Sequence, residues 1–194
     1  AYFTVNMLDE PDSVVREETQ QFAAENFAIS NIEDRTNGET FPTAGGIRPT
    51  IMPILEDASG VGFVNVEVDP DGVRRRINLL WEHDGVYYPQ LALSPVRDVL
   101  GNPRIVATPE RIILEEAQMP DGSVTDITIP LTEDGHALVN WPAGEFDESY
   151  RHMSYYRLVL HEELEKRLID NLRIMSDAGY LNYHQGDFDL IQAY

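Results

Sequence analysis

Four Asp-Gly dipeptides, Asp71-Gly72, Asp84-Gly85, Asp121-Gly122 and Asp134-Gly135, punctuate the middle of this chain. An aspartate that bonds its own backbone, followed by a glycine that tolerates the left-handed conformation, reverses a chain within a few residues. Such turns divide the stretch into short apolar segments of β character. The most explicit is Asp69-Pro70-Asp71-Gly72, where Pro presets φ, Asp bonds locally and Gly takes the left-handed position. The flanks Val61–Val68 and Val73–Leu80 predict a hairpin, with Val73, Ile77 and Leu79 on one face. Further strands are expected at Val86–Tyr88, Arg104–Ala107, Arg111–Glu115, Val124–Pro130 and Ala137–Trp141.

Helices are expected around this β-rich centre. Tyr2–Leu8 reads as a first strand. Pro11 and Asp12 open a helix running to about Asn26 with Val14, Val15, Phe22, Ala23 and Phe27 on its apolar face. Phe27–Ile32 reads as a second strand and Glu33–Ile47 as a loop. Pro49 suits the first turn of a short helix ending near Asp57. Pro89 starts a helix carrying Leu91, Leu93, Val96, Val99 and Leu100, with Gly101 beyond its end. Pro142–Ser154 reads as irregular. Tyr155–Ala178 is a long helix in which Leu160, Leu164, Leu168, Leu172 and Met175 form one seam, a candidate contact between two copies of the chain.

The expected class is α/β: a mixed β-sheet flanked by helices, with a long C-terminal helical extension. Residues 1–194 read as a single domain, with 155–178 a candidate insertion within it. No run approaches the ~20 apolar residues of a membrane helix. The chain opens in an apolar segment without an initiator Met, and it reads as a piece excised from a longer membrane protein.

Charge narrows the function classes. Fourteen basic residues stand against thirty-four acidic ones, a net charge of −20. Such a surface repels nucleic acid and anionic membrane faces alike. With no cysteine, structural disulfides, thiolate catalysis and Cys-ligated zinc are excluded. His161-Glu162-Glu163-Leu164-Glu165 departs from the His-Glu-x-x-His zinc motif at its fifth position, so no metal is assigned and an acidic helix face accounts for it. The five histidines follow no ligand or triad spacing, no serine lies in a nucleophile elbow, and Gly60-Val61-Gly62 lacks the third glycine of a dinucleotide loop. No catalytic residue and no cofactor are assigned.

Arg74-Arg75-Arg76 is the only basic cluster. On a strand Arg74 and Arg76 share one face, while Arg75 joins Val73 and Ile77 and needs a carboxylate or carbonyl partner. Cross-strand pairing with Glu67 and Asp69 is the plainer use of these arginines; an anion site is the other. Trp81, Tyr87, Tyr88 and Trp141 either line a pocket or pack at core and edge.

One ordered series carries a resemblance. It runs Gly62-Phe63-Val64-Asn65, Asp69-Pro70-Asp71-Gly72-Val73-Arg74-Arg75, Leu79-Leu80, Gly85-Val86-Tyr87-Tyr88-Pro89, Leu91-Ala92-Leu93, Gly101, Ile129-Pro130-Leu131 and Gly135…Leu138-Val139-Asn140-Trp141. Over residues 50–157 the chain resembles the second class of cyclase/histidine-kinase-associated sensory extracellular domains, the CHASE type. The resemblance implies a sensory domain outside the cytoplasmic membrane, periplasmic or at the cell surface. It would be tethered by transmembrane helices and would regulate a cytoplasmic cyclase or kinase. An Asp-x-x-Ser-like and Pro-Trp-Pro-Arg-like opening is absent, and the helix Tyr155–Ala178 stands where the family closes with a strand.

The expected function is therefore the input domain of a membrane-bound signalling protein, with a nucleotide cyclase as the favoured output and a carboxylate-based hydrolase of an acidic cell envelope as the alternative. The signal is an unknown small molecule or protein, and a homodimer is a candidate assembly. Where the hairpin meets the later strand, Arg74, Arg76, Asn140 and Trp141 form the expected ligand site, suited to an anionic small molecule.

Overall fold

The computed structural model describes residues 1–36, 38, 40–144, 148 and 154–180. Ala1–Trp141 forms one compact unit, and Pro142–Tyr194 is a second. In the first, β1 (Tyr2–Leu8) takes the centre of a three-stranded sheet. It pairs antiparallel with β3 (Gly46–Pro49) and parallel with β4 (Gly60–Phe63), in registers that place Val5 opposite both Pro49 and Phe63. A four-stranded sheet follows the order β10-β9-β8-β2. Here β2 (Ile32–Asp34) runs parallel to β8 (Arg104–Thr108), and β9 (Arg111–Gln118) and β10 (Val124–Pro130) continue antiparallel. Two ribbons complete the β-structure: β6 (Leu80–His83) with β7 (Val86–Pro89), and β5 (Arg76–Ile77) with β11 (Ala137–Leu138). The expected class, mixed sheets with helices and a C-terminal helix, is the observed one.

Two apolar clusters hold this unit. One gathers Val5, Ala23, Ile47, Leu55, Val61, Phe63 and Tyr88 around the three-stranded sheet. The other gathers Ile29, Leu80, Leu93, Leu100, Ile105, Ile112 and Leu114 against the four-stranded one. The β6–β7 ribbon contributes to both, through Leu80 and Tyr88. Backbone bonds stitch it to its surroundings: Ile29 N–H to Tyr87 O and Ala44 N–H to Glu82 O, each at 2.8 Å. Each fully buried side chain of this size contributes about 1.5–3 kcal/mol, so the ribbon is a principal fastening of the fold.

Local chemistry explains where observed elements depart from expectation. The first helix, α1, is Glu17–Phe27 and does not start at Pro11. Asp12 accepts the Val14 N–H at 2.8 Å and pairs with Arg48 at 2.5 Å, which folds residues 11–16 into an extended turn. The strand expected at Phe27–Ile32 keeps only an isolated bridge at Ile29 and, at Ile32, the first residue of β2, and the expected loop Glu33–Ile47 contains the end of β2 and the start of β3. Pro49 lies in β3, and α2 (Met52–Leu55) takes its N-terminal proline from Pro53. Pro89 ends β7 opposite Leu80, while α3 (Leu93–Val99) begins only after Gln90 has accepted the Leu93 N–H.

The expected hairpin Val61–Val68/Val73–Leu80 is not a paired ladder. Its turn forms, with Gly72 N–H bonded to Asp69 O at 2.8 Å and Gly72 at φ 83°. Its arms part because each has another partner. β4 is committed to β1 and, through Phe63 O, to the Leu91 N–H; β5 is committed to β11. Val64, Val66 and Val68 are left exposed. Gly62 is required by the first commitment, since a Cβ there would lie 2.4 Å from Leu91 Cα.

A bulge tunes the four-stranded sheet. Leu114 faces Ile127 and Ala117 faces Thr125, so Glu115 and Glu116 together oppose Asp126. The extra residue lets Ala117 point inward and Glu116 outward. Glu116 takes φ 55° and gives its N–H to Asp126 at 2.9 Å.

The second unit contributes α4 (Tyr155–Asp177), as the leucine spacing predicts. Glu162–Lys166 at 2.7 Å and Glu163–Arg167 at 2.5 Å brace its polar surface at one-turn spacing. Gly179, at φ 76°, ends it. No helix among the described residues is long and apolar enough to cross a membrane. The expectations for 145–147, 149–153 and 181–194 lie outside the described residues.

Candidate functional site

The four residues singled out from the sequence lie on two paired segments, with Arg74 and Trp141 in direct contact. β11 and the residues after it run antiparallel to Arg74–Ile77, with Ala137 opposite Ile77 and Leu138 opposite Arg76. Val139 N–H extends the ladder to Arg75 O at 2.8 Å. The Trp141 indole then donates to the Arg74 carbonyl at 2.6 Å, with the ring 54% exposed. Trp141 is thus an edge fastener. Arg74 and Asn140 are both exposed.

The guanidinium charges here are largely engaged. Arg76 holds Asp69 Oδ1 through Nε at 3.1 Å and Nη2 at 2.5 Å, and lies 3.9 Å from Asp134. Arg75 is not buried with Val73 and Ile77. It reaches back one turn to both oxygens of Asp71, at 3.0 and 2.7 Å, because β5 is too short and too exposed to enclose it. The Arg75 guanidinium and then the Val73 N–H pull the Asp71 carboxyl down to about 2, and Arg76 holds Asp69 below its ordinary value. A depression of about 460 Å³ between Asp69, Pro70, Asp71, Arg75, Arg76 and Leu138 remains open beside them. Arg76 reaches this depression already paired with Asp69, and Arg74 is not among the residues that line it.

The aromatic residues divide between packing and lining. Trp81 stacks edge-on against Phe63 at 5.4 Å, and Tyr88 is fully buried. Tyr87 stands edge-on to Phe41 at 6.1 Å and lines a cavity of about 190 Å³ with Thr43 and Glu82. His161 and Glu165 lie 4.0 Å apart on α4, with Glu162 and Glu163 engaged by Lys166 and Arg167.

A second polar pocket lies elsewhere, and sequence reasoning missed it. It measures about 330 Å³ and opens between the end of α1, the start of β4 and α3. The face that α3 turns inward carries Leu93, Ser94, Arg97 and Leu100. Val96 and Val99, expected inside, are 47% and 69% exposed, while Arg97 is 9% exposed. Gly101, at φ 77°, ends the helix in a Schellman arrangement: its N–H bonds Asp98 O at 3.1 Å, and Asn102 N–H bonds Arg97 O at 2.8 Å.

Arg97 gives one hydrogen bond, from Nη2 to Asn31 Oδ1 at 2.9 Å. Asn31 is itself fixed, since its amide nitrogen donates to Asn102 O at 2.8 Å and Pro103 O at 3.1 Å. Arg97 Nε is buried without a partner, and no carboxylate pairs with the guanidinium among the described residues. Burial lowers the Arg97 pKa, with Asp98 opposing. Holding a buried cation without an ion-pair partner costs roughly several kcal/mol.

A family model described as the CHASE2 domain matches residues 3–177, nine-tenths of the chain. The match is wider than the residue series read at 50–157, and it takes in β1, α1 and α4. No curated protein and no solved structure matches the chain. CHASE2 domains are extracellular sensory domains of membrane signalling proteins and are not catalytic, and this chain belongs to that family.

Proposed function

We propose that this chain is the input domain of a membrane-bound nucleotide cyclase: it perceives a signal outside the cell and regulates a cytoplasmic cyclase domain. The observation that carries the sensory part is the family match over residues 3–177. A hydrolase reading loses its ground with that match. The cyclase output is tested on the full-length protein in membranes supplied with ATP or GTP. Cyclic nucleotide is the expected product; phosphohistidine or phosphoserine would replace the cyclase with a kinase.

Signalling requires that the ligand bind two conformations of the head with different affinity. The surface of Arg74, Arg76, Asn140 and Trp141 is one proposed contact for it, with Asp69 as the internal competitor for Arg76. A ligand that displaces Asp69 would free the turn at Pro70, which converts occupancy into a local change of shape. We further propose that two copies associate through the α4 seam of Leu164, Leu168 and Met175, whose side chains are exposed.

A further inference from the structure

We propose that the pocket at Arg97 is a binding site for a small monocarboxylate that carries a hydroxyl or amino group beside its carboxylate. The inference concerns this head alone and holds whatever the output domain is.

Three observations carry it. First, α3 turns inward the arginine and exposes the two valines beside it, so burial here is not explained by apolar packing. Second, the guanidinium is held but not neutralised. One neutral amide oxygen, from Asn31, meets Nη2, and Asn31 is locked by two backbone carbonyls, so it fixes the fork in place without supplying charge. Third, the guanidinium faces a cavity of about 330 Å³ whose wall is polar: Asn26, Ser30, Asn31, Ser94, Asp98 and Asn102. That volume sits at the lower end of the roughly 300–1,000 Å³ of small-molecule sites.

The same groups select the ligand. A planar carboxylate matches the planar arginine fork. Asp98 shares the wall; it accepts a hydrogen bond from the Tyr2 hydroxyl and lies outside ion-pair range of Arg97. The one guanidinium charge balances one monoanion, whereas a dianion such as sulfate or hydrogen phosphate leaves a second negative charge beside the Asp98 carboxylate and is disfavoured. The second Asp98 carboxylate oxygen, the Asn26 amide oxygen (its nitrogen is bonded to Phe22 O) and the Asn102 amide remain for a neighbouring hydroxyl or ammonium group. A site of this kind supplies the missing counter-charge only when occupied, so occupancy stabilises α3 against the end of α1.

The test is calorimetric and thermal titration of the folded chain with sodium lactate and with alanine, against sodium acetate, sulfate, phosphate and chloride at equal ionic strength. The expected result is a saturable rise in Tm of several degrees with lactate or alanine, little with acetate, and none with the dianions. Lactate binding assigns a hydroxy acid and alanine binding an amino acid. Arg97→Met should abolish the rise and leave the ligand-free Tm unchanged or higher. Ser30→Trp, at the exposed rim, should weaken binding tenfold or more without touching the Arg97–Asn31 bond. The Arg97 Nε–H resonance should shift on titration in the native chain. Absence of any shift beyond the chloride control, a response as large with sulfate or phosphate, or a lactate response that survives in Arg97→Met or Ser30→Trp would each overturn the proposal.

Discussion

The Tyr87 hydroxyl donates to the Asp34 carboxylate at 2.5 Å and so ties the β6–β7 ribbon to the edge strand of the four-stranded sheet. Burial alone would raise the Asp34 carboxyl, but the Thr36 and Tyr87 hydroxyls and the Thr36 N–H together hold it below its ordinary value. Because the folded value lies below the unfolded one, this carboxylate's contribution is complete above about pH 4 and is lost as pH falls through the lower folded value. Tyr87→Phe should lower stability at pH 7 by ~1 kcal/mol. It should also move the acid unfolding midpoint to higher pH. Urea unfolding at neutral and acid pH checks both.

The neighbouring tyrosine should behave in the opposite sense. Tyr88 is fully buried and its hydroxyl has no partner. Tyr88→Phe removes an unsatisfied polar atom, and should be neutral or stabilising by up to ~1 kcal/mol. Burial raises the Tyr88 phenol to about 12. Its folded value exceeds the unfolded one, so the native chain should lose stability between about pH 10 and 12. The variant should lose less over that window, which a urea series at alkaline pH will show.

The Asp71–Arg75 pair can be read directly. The Asp71 carboxyl should titrate near about 2 by carboxyl-carbon NMR. In Arg75→Gln it should return toward the ordinary aspartate value, since the guanidinium is the largest cause of the shift. Both groups are solvent-exposed, so added salt should shrink the difference. In the same region, Arg74→Gln combined with Arg76→Gln should erase any anion-dependent rise in Tm assigned to that surface. An unchanged rise would take the surface out of the account.

Gly62→Ala should cost ~3 kcal/mol or more, because the added methyl meets backbone at Leu91, which has no flexible end to give way. Glu116→Gly, at the bulge, should be neutral or stabilising, since glycine adopts the left-handed conformation without strain. The contrast between a glycine that must stay and a glutamate that welcomes one is measured by chemical denaturation.

Leu168→Glu addresses the seam of α4. It should halve the mass of the full-length assembly in solution if two copies meet there, by light scattering. A stable variant of unchanged mass would remove the seam as an interface.

The legible parts of the fold were those with local causes. The Asp-Gly turns at Gly72, Gly85, Gly122 and Gly135 all show positive φ, and β10 and the long helix fall where alternation and leucine spacing put them. Pairing was not legible, because β4 and β5 each gain more from a distant partner than from one another. At the surface site, the sequence suggested only that the hairpin and the later strand meet; the antiparallel pairing of β11 with β5 that sets Trp141 against Arg74 was not legible. Nor was the engagement of Arg75 by Asp71, since it depends on β5 being two residues long. Arg97 was hidden for a sharper reason. Valines are ordinarily placed inside and arginines outside. Here α3 is turned so that Val96 and Val99 face out, and only the three-dimensional neighbours at Asn31 and Asn102 reveal why.

The absence of cysteine allows a direct test of whether this head is displayed outside the cell. Val124, 62% exposed on the edge strand β10, is replaced by cysteine in the full-length protein, any cysteines beyond this head first being removed. Intact cells are then treated with a membrane-impermeant maleimide. A head outside the cell is labelled without permeabilisation; labelling only after the membrane is breached would place it inside.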